Sequence, residues 1–211
     1  MAKHWLGVAA SLTLSLTATS AQAAPDLKAA NARLTALLDR NYPALDALYR
    51  DLHQNPELGM QEVRTAGILA QHLRKAGFTV TEKVGRTGVV GVLKNGDGPT
   101  ILIRADMDAL PMEEKTGLAW ASKARATYEG KDVPVMHACG HDTHVAYLVG
   151  VAQALSTMRD SWSGTVVLIG QPAEEILKGA KAMLDDGLLT RFPKPDYGFA
   201  AHVLKDRKSV V

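Results

Sequence analysis

The 211-residue sequence has a single cysteine, Cys139. No disulfide can close within the chain, and no dithiol pair is available for thiol–disulfide exchange. A redox role for Cys139 is therefore weak. An excess of one charge is missing too: 24 Lys plus Arg stand against 22 Asp plus Glu. Basic runs and basic–aromatic interleaving are absent, which argues against nucleic acid as a partner. No apolar run reaches the roughly 18 residues that a membrane-spanning helix needs, so no stable membrane anchor is expected. Internal repeats and low-complexity tracts are lacking as well.

The first two dozen residues differ from the rest. Lys3 and His4 precede a mildly apolar run, Leu6 to Leu16, and Ala21-Gln22-Ala23 supplies a small-x-small cleavage pattern. Residues 1–23 read as a secretory signal peptide, and a periplasmic or secreted protein follows. Export favours disulfides, yet Cys139 stands alone. A lone exported cysteine is buried and inert, paired between chains, or a metal ligand. Its neighbours favour the ligand.

Those neighbours form the richest stretch of the chain, Val135 to His144. It holds the only cysteine, three of the seven histidines and an acid. Thiolate, imidazole and carboxylate are the side chains that hold transition metals. Gly140 separates Cys139 from His141, and a glycine permits a tight or left-handed turn that lets both reach one ion.

Around this stretch the pattern alternates helix and strand. Leu34, Leu37, Leu38, Leu45, Leu48 and Leu52 recur at helical spacing between Asp26 and Asn55, with Pro43 expected to kink or split the helix. A second helix is expected over Gln61–Lys75, ended by Gly77. Short strands follow at Phe78–Lys83, Gly88–Leu93 and Thr100–Ala105. Asn95 to Pro99 is a hairpin or turn signal. Thr116–Asp132 reads as a polar, irregular excursion. Then come a helix over His141–Met158, a buried strand over Thr165–Ile169, a helix over Gly179–Leu189 and a last strand over Tyr197–Ala201. The expected fold is α/β, a layered sheet flanked by helices.

Chemistry gathers at strand ends. Asp106 and Asp108 follow Ile101-Leu102-Ile103, and acids at the C-terminal edge of a buried strand are a common place for a site. Glu174 and Glu175 follow the apolar run Val166 to Ile169. Neighbouring loop residues point different ways, so one can ligate while the other faces substrate. A carboxylate beside metal-activated water is the usual general base of a metal hydrolase. His202 closes another apolar run. His137 and His144 flank the cluster and suit ligand support or substrate contact better than ligation, as do Asp106 and Asp108. His53 and His72 lie in helices, where histidine is most often structural.

Four segments in order make the pattern specific: His53 to Leu58, Arg104 to Pro111, Met136 to Asp142 and Gln171 to Glu175. Together they resemble the amidohydrolase branch (subfamily D) of the M20 metallopeptidase family. That branch includes hippurate hydrolases, auxin-conjugate hydrolases and N-acyl-amino-acid deacylases. The similarity runs from about Leu27 to Leu204.

The resemblance implies a metal-dependent amidohydrolase that holds two divalent ions, Zn, Mn, Co or Ni. Cys139, His141, Glu175 and His202 would be metal ligands and Glu174 the general base. The substrate would be an N-acyl amino acid or similar small amide. Asp106 is not assigned as a ligand, although other branches have a ligand histidine there.

The chain departs from the family in three places. Ala126 to Val135 is longer than the usual approach to the cysteine motif. Family members continue into a lid or dimerisation domain, the expected homodimer contact, and a further ligand histidine. Asp206 to Val211 leaves the family pattern and reads as an artefactual tail. Residues 24–205 are thus expected to be the N-terminal part of the catalytic domain. The alternative is an incomplete, non-catalytic fragment of such an enzyme.

Overall fold

The computed structural model describes residues 26–203. The signal-peptide reading over 1–23 and the tail at 206–211 lie outside the described residues. The chain opens with two helices, α1 (Leu27–Gln54) and α2 (Val63–Lys75). Three strands follow, β1 (Thr79–Val84), β2 (Gly88–Asn95) and β3 (Thr100–Asp106). A hairpin, β4 (Arg125–Tyr128) and β5 (Lys131–Pro134), leads to α3 (His141–Thr157). Then come β6 (Gly164–Gln171), the short helices α4 (Gly179–Asp185) and α5 (Leu188–Arg191), and β7 (Tyr197–Ala200).

The main sheet has the order β1-β2-β6-β3-β7. The β1–β2 and β2–β6 pairs are antiparallel; β6–β3 and β3–β7 are parallel. The central strand β6 is buried on both faces, which is why it reads as an unbroken apolar run. Val166 and Leu168 face a core formed with α1, α2 and α3, through Leu52, Leu69, Leu73 and Leu148. Val167 and Ile169 face the other way, toward Met183 of α4 and Leu188 of α5. The result is a three-layer α/β/α arrangement, the expected layered sheet flanked by helices.

Some local expectations are corrected. Asn95 to Pro99 makes a turn but no hairpin, because β6 enters between β2 and β3 and pairs with both. Gly164 permits the close approach: a Cβ there would lie 2.3 Å from the Pro99 carbonyl oxygen. Pro43 does not split α1, which runs through it. The Thr116–Asp132 excursion contains β4 and the start of β5, joined through Glu129 (φ 50°) and Gly130 (φ 77°). Left-handed backbone at both central residues matches a hairpin turn of the type that follows strand twist. The helix expected over Gly179–Leu189 is two helices, broken at Gly187 (φ 84°).

One consequence of the topology places the site. β3, β6 and β7 are mutually parallel, so their C-terminal ends share one sheet edge. Asp106, the Gln171–Glu175 segment and His202 therefore arrive together, where open α/β sheets place their sites.

Candidate metal centre

Cys139 and His141 reach this edge from the start of α3. Gly140 caps that helix with φ 77° and ψ 27°, the left-handed turn expected between the two ligating types. A Cβ at Gly140 would lie 2.4 Å from a Val203 methyl, so the site is closed to a larger residue on two counts. Donor atoms of Cys139, His141 and Glu175 lie within 4.8 Å of one another. His141 also belongs to a second group with Asp106, His144 and His202 at the same spacing.

His141 is fully buried. Its Nδ1–H donates to the Asp108 carbonyl oxygen at 2.8 Å. That bond fixes the tautomer of the neutral ring, in which Nε2 carries no hydrogen. Nε2 lies 3.6 Å from Asp106 Oδ2 and 4.0 Å from both Glu174 Oε2 and Glu175 Oε1. Neither His141 Nε2 nor Glu175 Oε1, both buried, has a hydrogen-bond partner. Buried acceptors normally find partners. A thiol, an imidazole nitrogen and a carboxylate left facing one another suit a divalent transition ion. The donor set therefore fits the implied metal.

Charge in the site points the same way. Burial, then the Glu175 and Glu174 carboxylates, push the Cys139 thiol up to about 12. Burial opposes a charge on His141, but Asp108 and Asp106 outweigh it and raise its pKa. Without a cation the cluster is short of positive charge.

The surrounding residues hold these groups from behind. Glu175 N–H donates to Asp108 Oδ2 at 3.0 Å, so Asp108 grips both Glu175 and His141. His144 Nε2 accepts Val203 N–H at 3.0 Å, which places the hydrogen on Nδ1, 3.3 Å from Asp106 Oδ2. His144 thus stands against Asp106, within the second group of possible donors. Asp106 also pairs with Arg104. Burial alone would raise its pKa; the His144 hydrogen bond and the Arg104 charge bring it below the usual carboxylate range. His202 is exposed, with Nδ1 against the Val203 carbonyl at 2.7 Å and its ring 5.7 Å from that of His141. Glu174 is a third exposed, the more accessible of the two glutamates.

A cleft of about 480 Å³ opens over Cys139, lined by Tyr49, His53, His137, Thr143 and His202. His137 is 4% exposed and both ring nitrogens lack partners. Burial pushes its pKa down to about 4, so it faces the cleft as a neutral imidazole. His72 stands apart from the site on α2, and burial lowers its pKa.

Two supporting acids escape a reading from sequence. Glu62 is fully buried; its Oε1 accepts Ala173 N–H at 2.8 Å and its Oε2 accepts the Thr87 hydroxyl at 2.6 Å. It therefore pins the loop that carries Glu174 and Glu175. Glu114 lies in a run, Glu113 to Thr116, that reads as solvated surface, yet it accepts from Ser122 N–H and contacts His53 Nε2 at 3.1 Å. No local signal marks either one. Glu57 caps α2, accepting Arg64 N–H at 3.0 Å and Thr65 N–H at 2.7 Å. The His53–Leu58 segment thus serves the scaffold as well as the cleft.

Comparison with known proteins agrees with this geometry. Residues 102–210 match the model of peptidase family M20/M25/M40. Hippurate hydrolase of Campylobacter jejuni is 46% identical over 158 residues, 74% of this chain and 38% of the relative. N-acetylcysteine deacetylase of Bacillus subtilis is 44% identical over 142 residues, 66% of this chain and 35% of the relative. The Bacillus subtilis YxeP protein, described as a dinuclear metal binding peptidase of the M20 family, superposes with a TM-score of 0.69 at 39% identity. That match covers 82% of this chain and 45% of YxeP. The chain spans between a third and two-fifths of the length of these two curated relatives. On the family match and on the shared fold, this chain belongs to peptidase family M20/M25/M40.

Proposed function

We propose that this chain carries the metal-binding part of an amidohydrolase that cleaves N-acyl amino acids or similar small amides. The observation that carries the reading is the convergence of Cys139, His141 and Glu175 on one point, with the more exposed Glu174 beside them. In this reading Cys139, His141, Glu175 and His202 hold two divalent ions. When bound, the ions supply Lewis acidity, polarising the amide carbonyl and making water easier to deprotonate. Glu174 takes a proton from the attacking water as its oxygen bonds to the carbonyl carbon. Glu174 then returns that proton to the amide nitrogen as the C–N bond breaks, releasing acid and amine. Asp108 orients His141 and Glu175, and the neutral His137 faces the substrate. The relatives' printed activities, hippurate hydrolysis and N-acetylcysteine deacetylation, support this substrate class. We further propose export to the periplasm, which mass spectrometry would support by a mature start at Ala24.

The test is release of free amine from N-acetyl and N-benzoyl amino acids, with metal content measured beside it. In the full-length enzyme, Glu174→Gln should keep the metal and lose roughly 100- to 10,000-fold in rate. Loss of metal in Glu174→Gln would show the two glutamates exchanged in role. A second reading has one observation in its favour. His141 offers one free nitrogen to both candidate groups, so the described residues supply few donors for a second ion. On that reading the chain binds metal without turnover.

A further inference from the structure

Next to the Cys139 cleft, α1 and α3 enclose a second cavity of about 300 Å³. Tyr49 and Thr143 line both spaces, so a ligand held at the metal edge can extend from one into the other. From α1 come Tyr42, Asp46 and Tyr49, four and three residues apart and therefore on one helix face. From α3 come Thr143, Ala146 and Tyr147, on a face of the same kind. The small Thr143 and Ala146 leave the room that the tyrosines wall in.

Three of the five tyrosines of the chain thus meet in one place. The Tyr147 hydroxyl donates to the Arg104 carbonyl oxygen at 2.8 Å, which commits the hydroxyl and leaves the ring to the cavity. The Tyr49 ring is held by Trp120, edge-on at 5.5 Å. Tyr42 is 67% exposed and makes the outer wall. Aromatic faces carry negative charge density and attract cations. The one charged residue of the lining is Asp46; no Lys, Arg or His lines the cavity. Burial, then the Asp142 and Glu114 carboxylates, push the Tyr49 pKa up, with Arg50 opposing and Asp46 adding, so the field at this ring is negative. The neighbouring surface already holds one cation in this way. Arg50 Nε donates to Asp46 Oδ2 at 2.9 Å, and its guanidinium lies 5.2 Å above the Trp120 ring. An apolar occupant would only desolvate Asp46, at a cost. A cation gains from the carboxylate and from the rings.

We infer that this aromatic cavity is a subsite for an organic cation carried by the substrate, a guanidinium or a substituted ammonium group. The inference rests on the proposed amide hydrolysis and adds a substrate class to it: N-acyl amino acids or amides with one positive charge at the end remote from the scissile bond. Tyr49 and Thr143, shared with the cleft, mark the path of the stem that joins the two ends.

The test uses two pairs of probes that differ in charge but hardly in shape, measured by calorimetry on the zinc-loaded 211-residue chain. On the amine side, N-acetylarginine is compared with N-acetylcitrulline. On the acyl side, N-(trimethylammonioacetyl)glycine is compared with N-(3,3-dimethylbutanoyl)glycine. In at least one pair the cation should bind about 3- to 30-fold tighter than its neutral partner. That pair identifies which end of the substrate enters. Tyr42→Leu and Asp46→Asn, neither of which lines the Cys139 cleft, should each bring the ratio of the two Kd values toward one. The neutral probe should keep its affinity in both variants. Neutral probes that bind as tightly as the cations in both pairs would overturn the subsite and leave the hydrolase reading standing. A preference for the cation that survives both variants would also overturn it. Failure of every probe to bind would overturn both readings.

Discussion

Glu62 shows how a single buried acid can set the position of a site it does not touch. It has no exposed surface, and burial raises its pKa despite hydrogen bonds from Thr87 and Ala173. An acid whose folded pKa is raised contributes stability that is fully present below its unfolded pKa and is lost as pH rises through the folded value. Glu62→Gln removes that loss and keeps an acceptor for Ala173 N–H. The variant should therefore gain on the wild type as pH rises from 5 to 8, read as the difference in urea midpoint. A constant difference across that range would show that Glu62 does not titrate there. Glu62→Ala should instead cost about 1–3 kcal/mol at any pH, because two buried donors lose their partner.

At the scale of elements, His53 ties three of them together. It sits on α1, and its Nδ1 lies 2.6 Å from Asp142 on α3. Its Nε2 lies 3.1 Å from Glu114, just ahead of the Thr116–Asp132 excursion. Trp120 of the same excursion packs edge-on at 4.8 Å, and the Arg50 guanidinium lies 5.2 Å above that ring. The Asp142 hydrogen bond raises the His53 pKa against the opposing effect of burial, with Glu114 adding to the rise. Burial pushes the Glu114 pKa up, but Thr116, Ser122 and His53 bring it below the usual range. The His53 contribution is complete below its unfolded pKa and fades as pH rises through the folded one. The Glu114 contribution is complete above its unfolded pKa and fades as pH falls through the folded one. Removing one partner of such a buried set costs about 3–5 kcal/mol. His53→Gln should show that loss near pH 6 and a smaller one above the raised His53 value. An equal loss at both pH values would mean that His53 is neutral in the fold.

Pro43 makes a contrary prediction on the same helix. It is exposed and interior to α1, where proline removes a backbone donor and crowds the preceding turn. Pro43→Ala should stabilise the chain by about 1–3 kcal/mol, read as a higher thermal midpoint. Much of this architecture was legible beforehand. The leucine spacing of α1, the apolar run of β6 and the glycine between Cys139 and His141 each report a local requirement. Partner choice was not legible. Asn95 to Pro99 is a good turn wherever β6 inserts, and nothing local says that it will insert between β2 and β3. Glu129-Gly130, inside a stretch that reads as irregular, closes a true hairpin, because its flanks Ala126, Tyr128 and Val133 pack on Leu58, Ala109 and Val135. Glu62 and Glu114 were missed for a related reason: the partners that tie them to the site, Ala173 and His53, lie 111 and 61 residues away in sequence.

For the whole molecule, the decisive property is how many ions the described residues hold, and in what protonation state. Three parallel strands and one helix start bring the donors to one edge, but the donors overlap. His141 Nδ1 is committed to Asp108, so His141 serves one ion only. With Cys139 and Glu175 it makes a three-donor set, leaving Asp106, His144 and the exposed His202 around a second position. The first ion should therefore bind well and a second far more weakly. Proton release gives an independent measure. Metal-binding thiols must be deprotonated, and Cys139 holds its proton at neutral pH because burial and two carboxylates push its pKa up to about 12. Zinc titration at pH 7.5, repeated in buffers of different ionisation enthalpy, should report about one proton or more released with the first ion. Cys139→Ser should lower both the affinity and the proton count. Two equally tight ions, or a first ion bound without proton release, would show that Cys139 and His141 do not meet the metal in the way this geometry requires.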